Sequence, residues 1–112
     1  MKSDFNNNIL EDLYNMIDDR NKNPKEKSYT NYLLNEGIDK ICKKVGEEAT
    51  ETVIAAKNTN KDELIGEICD LIYHVEVLMY DRGVSINEIK QKLSERHKIE
   101  GNKKPNNIKG DY

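Results

Sequence analysis

Two consecutive stretches of apolar residues spaced by three and four limit the folds open to this chain more than any other feature of it. Ile38, Ile41, Cys42, Val45, Ala49, Thr52, Val53 and Ala56 follow the i, i+3, i+4, i+7 rule, which lines one face of a helix about five turns long. Asn58-Thr59-Asn60 interrupts the pattern. Leu64, Ile65, Ile68, Leu71, Ile72, Val75, Leu78 and Met79 then repeat it until Arg82-Gly83 supplies a stop. Two amphipathic helices with a short polar break between them predict a helical hairpin. Strands find little support, because apolar and polar residues do not alternate over any useful length.

The flanking segments are shorter. Ile9, Leu10, Leu13, Met16 and Ile17 share one stripe of a helix expected to end near Arg20, after eight residues expected to fray. Asn21 to Lys27, with Pro24, reads as a loop. Ser28 is placed to cap a short helix through Tyr32, Leu33 and Leu34, and Gly37 to close it. Ser85-Ile86-Asn87-Glu88 matches a capping box and opens a last helix, carrying Ile86, Ile89 and Leu93, to about His97. The expected fold is all-α: a bundle of about five helices around the hairpin. Its 112 residues suit one core, so residues 1–97 form a single domain. The polar tail 98–112 is expected to be disordered.

Charge and cysteine usage narrow the function classes. With 18 Lys+Arg against 21 Asp+Glu the net charge is −3, which sets up no field for nucleic acid or an anionic membrane surface. No apolar run exceeds four residues, too short for a membrane span or a signal-peptide core, so a cytoplasmic location is expected. Cys42 and Cys69 fall among apolar residues at helical spacing and read as reduced packing residues.

The chemistry lies in acids at the edges of the two long stripes. Glu48 borders the first stripe, with Glu51 beside it at i+3 and Glu47 farther out. Glu67 flanks the second, with Asp70 at i+3. Like charges at that spacing repel by a few tenths of a kcal/mol per pair, more if the two edges face each other. A hard divalent cation, Mg²⁺ or Mn²⁺, offsets such repulsion and takes oxygen ligands, whereas nothing here suits zinc. The same acids also fit a plain solvated face. Lys40, Lys43, Lys44 and Lys57 lie nearby as phosphate partners or as surface ion-pair partners. His74, i+4 from Asp70, is placed to orient a carboxylate, to touch a substrate, or simply to pack.

The string Lys43-Lys44-Val45-Gly46-Glu47-Glu48-Ala49-Thr50-Glu51, then Val53-Ile54-Ala55-Ala56-Lys57 and Glu67-Ile68-Cys69-Asp70-Leu71-Ile72-Tyr73-His74, closely resembles the phosphoribosyl-ATP pyrophosphohydrolases of histidine biosynthesis. These belong to the all-α nucleotide pyrophosphohydrolase superfamily that includes MazG-like enzymes. The similarity runs from about Leu10 to His97 and takes in Arg20, Pro24, Ser28-Tyr29-Thr30 and Asp81-Arg82-Gly83. It implies hydrolysis of the α–β phosphoanhydride of phosphoribosyl-ATP to phosphoribosyl-AMP and pyrophosphate, the second step of the pathway. It places metal ligands on Glu48, Glu51, Glu67 and Asp70, with catalytic roles for Glu47, Glu48 and Glu51. Substrate contacts are then expected from Lys40, Lys43, Lys44, Lys57, Arg20 and His74, and the phosphoribosyl group is expected near Arg20, the Ser28 to Tyr32 segment, and Arg82 or Arg96. The resemblance also implies completion of the bundle by a homodimer. Nothing in the sequence matches the cyclohydrolase domain to which the family is often fused, so a stand-alone form is expected. Two alternatives stay open: a MazG-like house-cleaning enzyme acting on free NTPs or dNTPs, and a non-enzymatic helical interaction protein.

Overall fold

The computed structural model describes residues 5–98 and the backbone of 102–103 and 109–110. Five helices follow in order: α1 (Ile9–Lys22), α2 (Tyr29–Glu36), α3 (Ile38–Ala56), α4 (Lys61–Asp81) and α5 (Ile86–Lys98). The chain is all-α, as its periodicity predicts, and α3 packs along α4 more extensively than any other pair. Asn102–Lys103 pairs antiparallel with Lys109–Gly110 in a minimal two-stranded ladder, β1 and β2. The rest of the tail expected to be disordered lies outside the described residues.

The caps show why the helices start and stop where they do. Ser28 Oγ accepts from the Asn31 amide (3.1 Å) and opens α2. Asn60 Oδ1 accepts from the Glu63 amide (3.1 Å) and opens α4. The box before α5 is reciprocal: the Glu88 amide donates to Ser85 Oγ (3.1 Å) and the Ser85 amide to Glu88 Oε1 (2.8 Å), so two orphan donors are satisfied together. Gly37 serves α2 and α3 at once. Its φ of 91° and ψ of −173° lie in a region open essentially only to glycine.

The core is small. Ile17 of α1, Leu33 of α2, Ile41 of α3 and Val77 of α4 are fully buried, with Met16, Leu34, Tyr73, Leu78 and Tyr80 packed around them. Much of the apolar stripe on the long helices is left uncovered: Val53 is 65% exposed, and Ile54, Ile65, Ile68 and Ile72 are also open. Cys42 and Cys69 are exposed as well, correcting the expectation that they pack inside. Their helical faces are wider than one neighbouring helix covers, so residues on the flank of a stripe stay in water even though the spacing is apolar. Farther along this face of α4, Leu71, Ile72, Val75 and Met79 form a groove of about 390 Å³ with Leu10 of α1 and Ile86, Ile89 and Leu93 of α5. Among the described residues no helix is long and apolar enough to cross a membrane.

Candidate active site

The hairpin brings two carboxylate pairs face to face. Glu48 from α3 and Glu67 and Asp70 from α4 each offer an oxygen, and these oxygens lie within 4.8 Å of one another. The register follows from the sequence. Each acid borders its apolar stripe, and α3 and α4 meet along those borders: Glu48 and Ala55 are buried on α3 and His74 and Val77 on α4, while much of both stripes stays exposed. Thr52 ties the helices at this point: its hydroxyl lies 2.8 Å from the Glu48 carbonyl and 3.3 Å from the Glu67 carbonyl across the hairpin.

Burial and charge set the character of the cluster. Glu48 is only 6% exposed. One carboxylate oxygen of Glu67, Oε1, is buried and makes no hydrogen bond. Burial raises the pKa of Glu67, and the charges of Glu51, Asp70 and Glu48 raise it further. A buried carboxylate oxygen without a donor is costly, and three acids aimed at one point compound the cost. Oxygen donors, a missing positive charge and an orphaned lone pair together fit a hard divalent cation.

Cations reach the site from one side. Lys44 Nζ stands 3.5 Å from Glu47 and 3.6 Å from Glu48. Burial works against its charge, but the negative Glu47 and Glu48 and the nearby Tyr29 hydroxyl outweigh that and raise its pKa. Glu51 lies outside the three-acid cluster yet close enough to Glu67 to act on it. Glu47 and Glu51 line an open depression with Lys43, Gly46 and Thr50. Lys40 Nζ sits 5.8 Å above the Tyr32 ring. Lys57 is the C-cap of α3, and Arg20 pairs with Asp19 at 3.5 Å.

His74 is buried, 6% exposed. Nδ1 lies 2.7 Å from the Asp70 carbonyl oxygen and Nε2 lies 2.9 Å from the Tyr29 hydroxyl, so both ring nitrogens are engaged within the protein. Its contact on α4 is with the Asp70 backbone and not with a carboxylate. Sequence spacing misses the partners on α2, because Tyr29 and Thr30 meet His74 and Tyr73 only in three dimensions. Thr30 and Tyr73 share a short hydroxyl–hydroxyl contact of 2.5 Å.

Fold and cluster define a class: an all-α protein whose site is built from carboxylates on both arms of a helical hairpin. The family model described as phosphoribosyl-ATP pyrophosphohydrolase matches residues 10–97. The chain is 60% identical over 100 residues to a phosphoribosyl-ATP pyrophosphatase from Clostridium novyi (strain NT), covering 89% of this chain and 91% of that one. It is 54% identical over 98 residues to a protein of the same name from Clostridium acetobutylicum, covering 88% and 89%. A third relative, the histidine biosynthesis bifunctional protein HisIE of Lactococcus lactis, is 60% identical over 96 residues, which are 86% of this chain and 45% of that protein. The chain belongs to the phosphoribosyl-ATP pyrophosphohydrolase family.

Proposed function

We propose that the protein hydrolyses the α–β phosphoanhydride of phosphoribosyl-ATP, giving phosphoribosyl-AMP and pyrophosphate, with Mg²⁺ held by the carboxylate cluster. The observation that carries this reading is the convergence of Glu48, Glu67 and Asp70 within a chain of this family. Glu48, Glu67 and Asp70 are the ligands in this proposal, with Glu51 as a fourth. The bound cation supplies charge for the phosphoryl oxygens and a more acidic water.

The chain's own residues do the rest. A water oxygen attacks one phosphorus of the α–β bridge, the bond from that phosphorus to the bridging oxygen breaks, and the water's proton passes to a carboxylate. Glu51 and Glu47 are the candidate acceptors: both lie outside the three-acid group, Glu51 as the outermost ligand of this proposal and Glu47 beside Lys44. Lys44 and Lys43 neutralise charge on the departing pyrophosphate, while Lys40, Lys57 and Arg20 form the wider set of substrate contacts. His74 orients the site from behind.

We also propose that two copies associate through the uncovered apolar faces. Support comes from Val53, Ile54, Ile65, Ile68 and Ile72, apolar residues exposed on both arms of the hairpin. Equilibrium sedimentation tests this. A dimer that Ile68→Asp converts to monomer is expected, and a monomeric wild-type chain at assay concentrations refutes it.

The activity is tested by pyrophosphate release from phosphoribosyl-ATP with and without Mg²⁺, beside ATP, dUTP and dCTP. Mg²⁺-dependent release confined to phosphoribosyl-ATP is the expected result. Release from the other nucleotides instead moves the protein to the house-cleaning branch, and no release from any of them leaves only the interaction protein.

A further inference from the structure

The contact between the first turn of α2 and the middle of α4 ends on the turn that carries Asp70. A carbonyl oxygen can only accept, so the 2.7 Å contact with the Asp70 carbonyl puts the His74 proton on Nδ1. In the neutral imidazole Nε2 then presents a lone pair, and the Tyr29 hydroxyl 2.9 Å away donates to it. The hydrogen bonds run in one direction, from Tyr29 through the imidazole to the backbone of Asp70. The Thr30–Tyr73 contact doubles the attachment one residue along each helix. Ring packing holds the same pieces: Tyr29 lies 6.1 Å from Tyr73 by ring centroids, and His74 stands edge-on to both.

Asp70 depends on this attachment more than its partners do. Glu48 is buried and reached by Lys44, and the Glu67 carbonyl is reached by Thr52. Among the described residues no hydrogen bond or ion pair holds the Asp70 carboxylate, so its position is set by its backbone. We propose that Tyr29 is a positioning residue for the metal site, acting through His74 to fix the turn of α4 that presents Asp70. The inference rests on the metal-dependent reading above and adds a residue from a third helix to the site. It also gives the engaged, buried imidazole a function in a site otherwise made of carboxylates.

The test is Tyr29→Phe, which keeps the ring stack and removes only the donor, read by Mn²⁺ titration of the full-length protein without substrate. Mn²⁺ affinity is expected to fall about tenfold, as for other outer partners of metal ligands, and lost activity to return when Mg²⁺ is raised. His74→Gln is expected to do the same, and the double variant to be no weaker than the worse single one. A Tyr29→Phe protein that unfolds at lower temperature but binds Mn²⁺ normally shows a merely structural tie and overturns the proposal. Fully additive losses in the double variant overturn the route through His74. A wild-type chain that binds no Mn²⁺ overturns both this inference and the metal-dependent reading beneath it, which separates the two failures.

Discussion

Glu67 and Glu76 are the same residue type on the same helix, and each has a buried carboxylate oxygen without a hydrogen-bond partner. Their surroundings differ in kind. Glu67 faces three other acids at the mouth of the hairpin, and burial followed by their charge raises its pKa. Glu76 is 3% exposed in the apolar groove between α1, α4 and α5, where burial, then the charge of Glu11, pushes it up to about 7. The first site collects negative charge around an orphaned oxygen and calls for a cation. The second lies among apolar walls, with the nearby acid Glu11 already paired to Lys90, and calls for a proton. Two orphaned carboxylates on one helix therefore ask for different solutions, and their neighbours decide which.

The comparison breaks most sharply under mutation. Glu51→Gln, which removes a candidate proton acceptor beside Glu67, is expected to lower pyrophosphate release by about 10²- to 10⁴-fold with the helical circular dichroism unchanged; a loss under tenfold takes the proton transfer away from Glu51. Glu67→Gln is expected to abolish metal binding while raising the melting temperature of the metal-free protein, because repulsion is relieved. A metal-free melting temperature that falls instead shows that the charge of Glu67 stabilises the fold.

Glu76 yields the pH signature. Its folded pKa of about 7 lies above the unfolded value near 4.3, so the native state binds more protons between those limits. The contribution of this group is fully present below the unfolded pKa and is lost as pH rises through 7, a loss of about 4 kcal/mol. Urea unfolding at fixed protein concentration is expected to show that decline in the wild type and a much flatter profile in Glu76→Gln, and equal slopes in the two proteins refute the assignment. Adding Mg²⁺ at about 100 times its dissociation constant stabilises the fold by about 2.7 kcal/mol, an increment that Glu67→Gln abolishes and Glu76→Gln leaves intact. The smallest effect belongs to Thr52→Val, which removes the hydroxyl between the Glu48 and Glu67 carbonyls and costs about 1 kcal/mol by thermal unfolding.

The hairpin was legible because its signal is local. Apolar spacing and the Asn58-Thr59-Asn60 break located α3 and α4, and the Ser85–Glu88 box located the start of α5. The first helix runs on to Lys22 instead of stopping near Arg20, since its last turn is polar and carries no apolar periodicity to read. The acid pairs were legible for the same reason as the hairpin: each lies three residues apart on one helix edge. Glu76 was not, because one acid between Val75 and Val77 looks like a surface position until a third helix closes over it. The partnership of Tyr29 with His74 spans 45 residues, beyond the reach of any helical period. The exposure of Cys42, Cys69 and Val53 escaped spacing too, because periodicity locates an apolar face without saying how much of it a neighbour covers.

One glycine joins these scales. Gly37 is the whole connection between α2 and α3, and a Cβ there meets nothing within 4 Å, so the demand on that position is backbone angle and not room. Tyr29 stands eight residues up α2, about 12 Å along its axis. A rigid helix on a one-residue pivot is a lever: at that length about 5° of rotation moves the far end about 1 Å, roughly the span over which a hydrogen bond is made or lost. The torsion of a single residue far from the acids thereby sets the tolerance to which the tyrosine meets the imidazole.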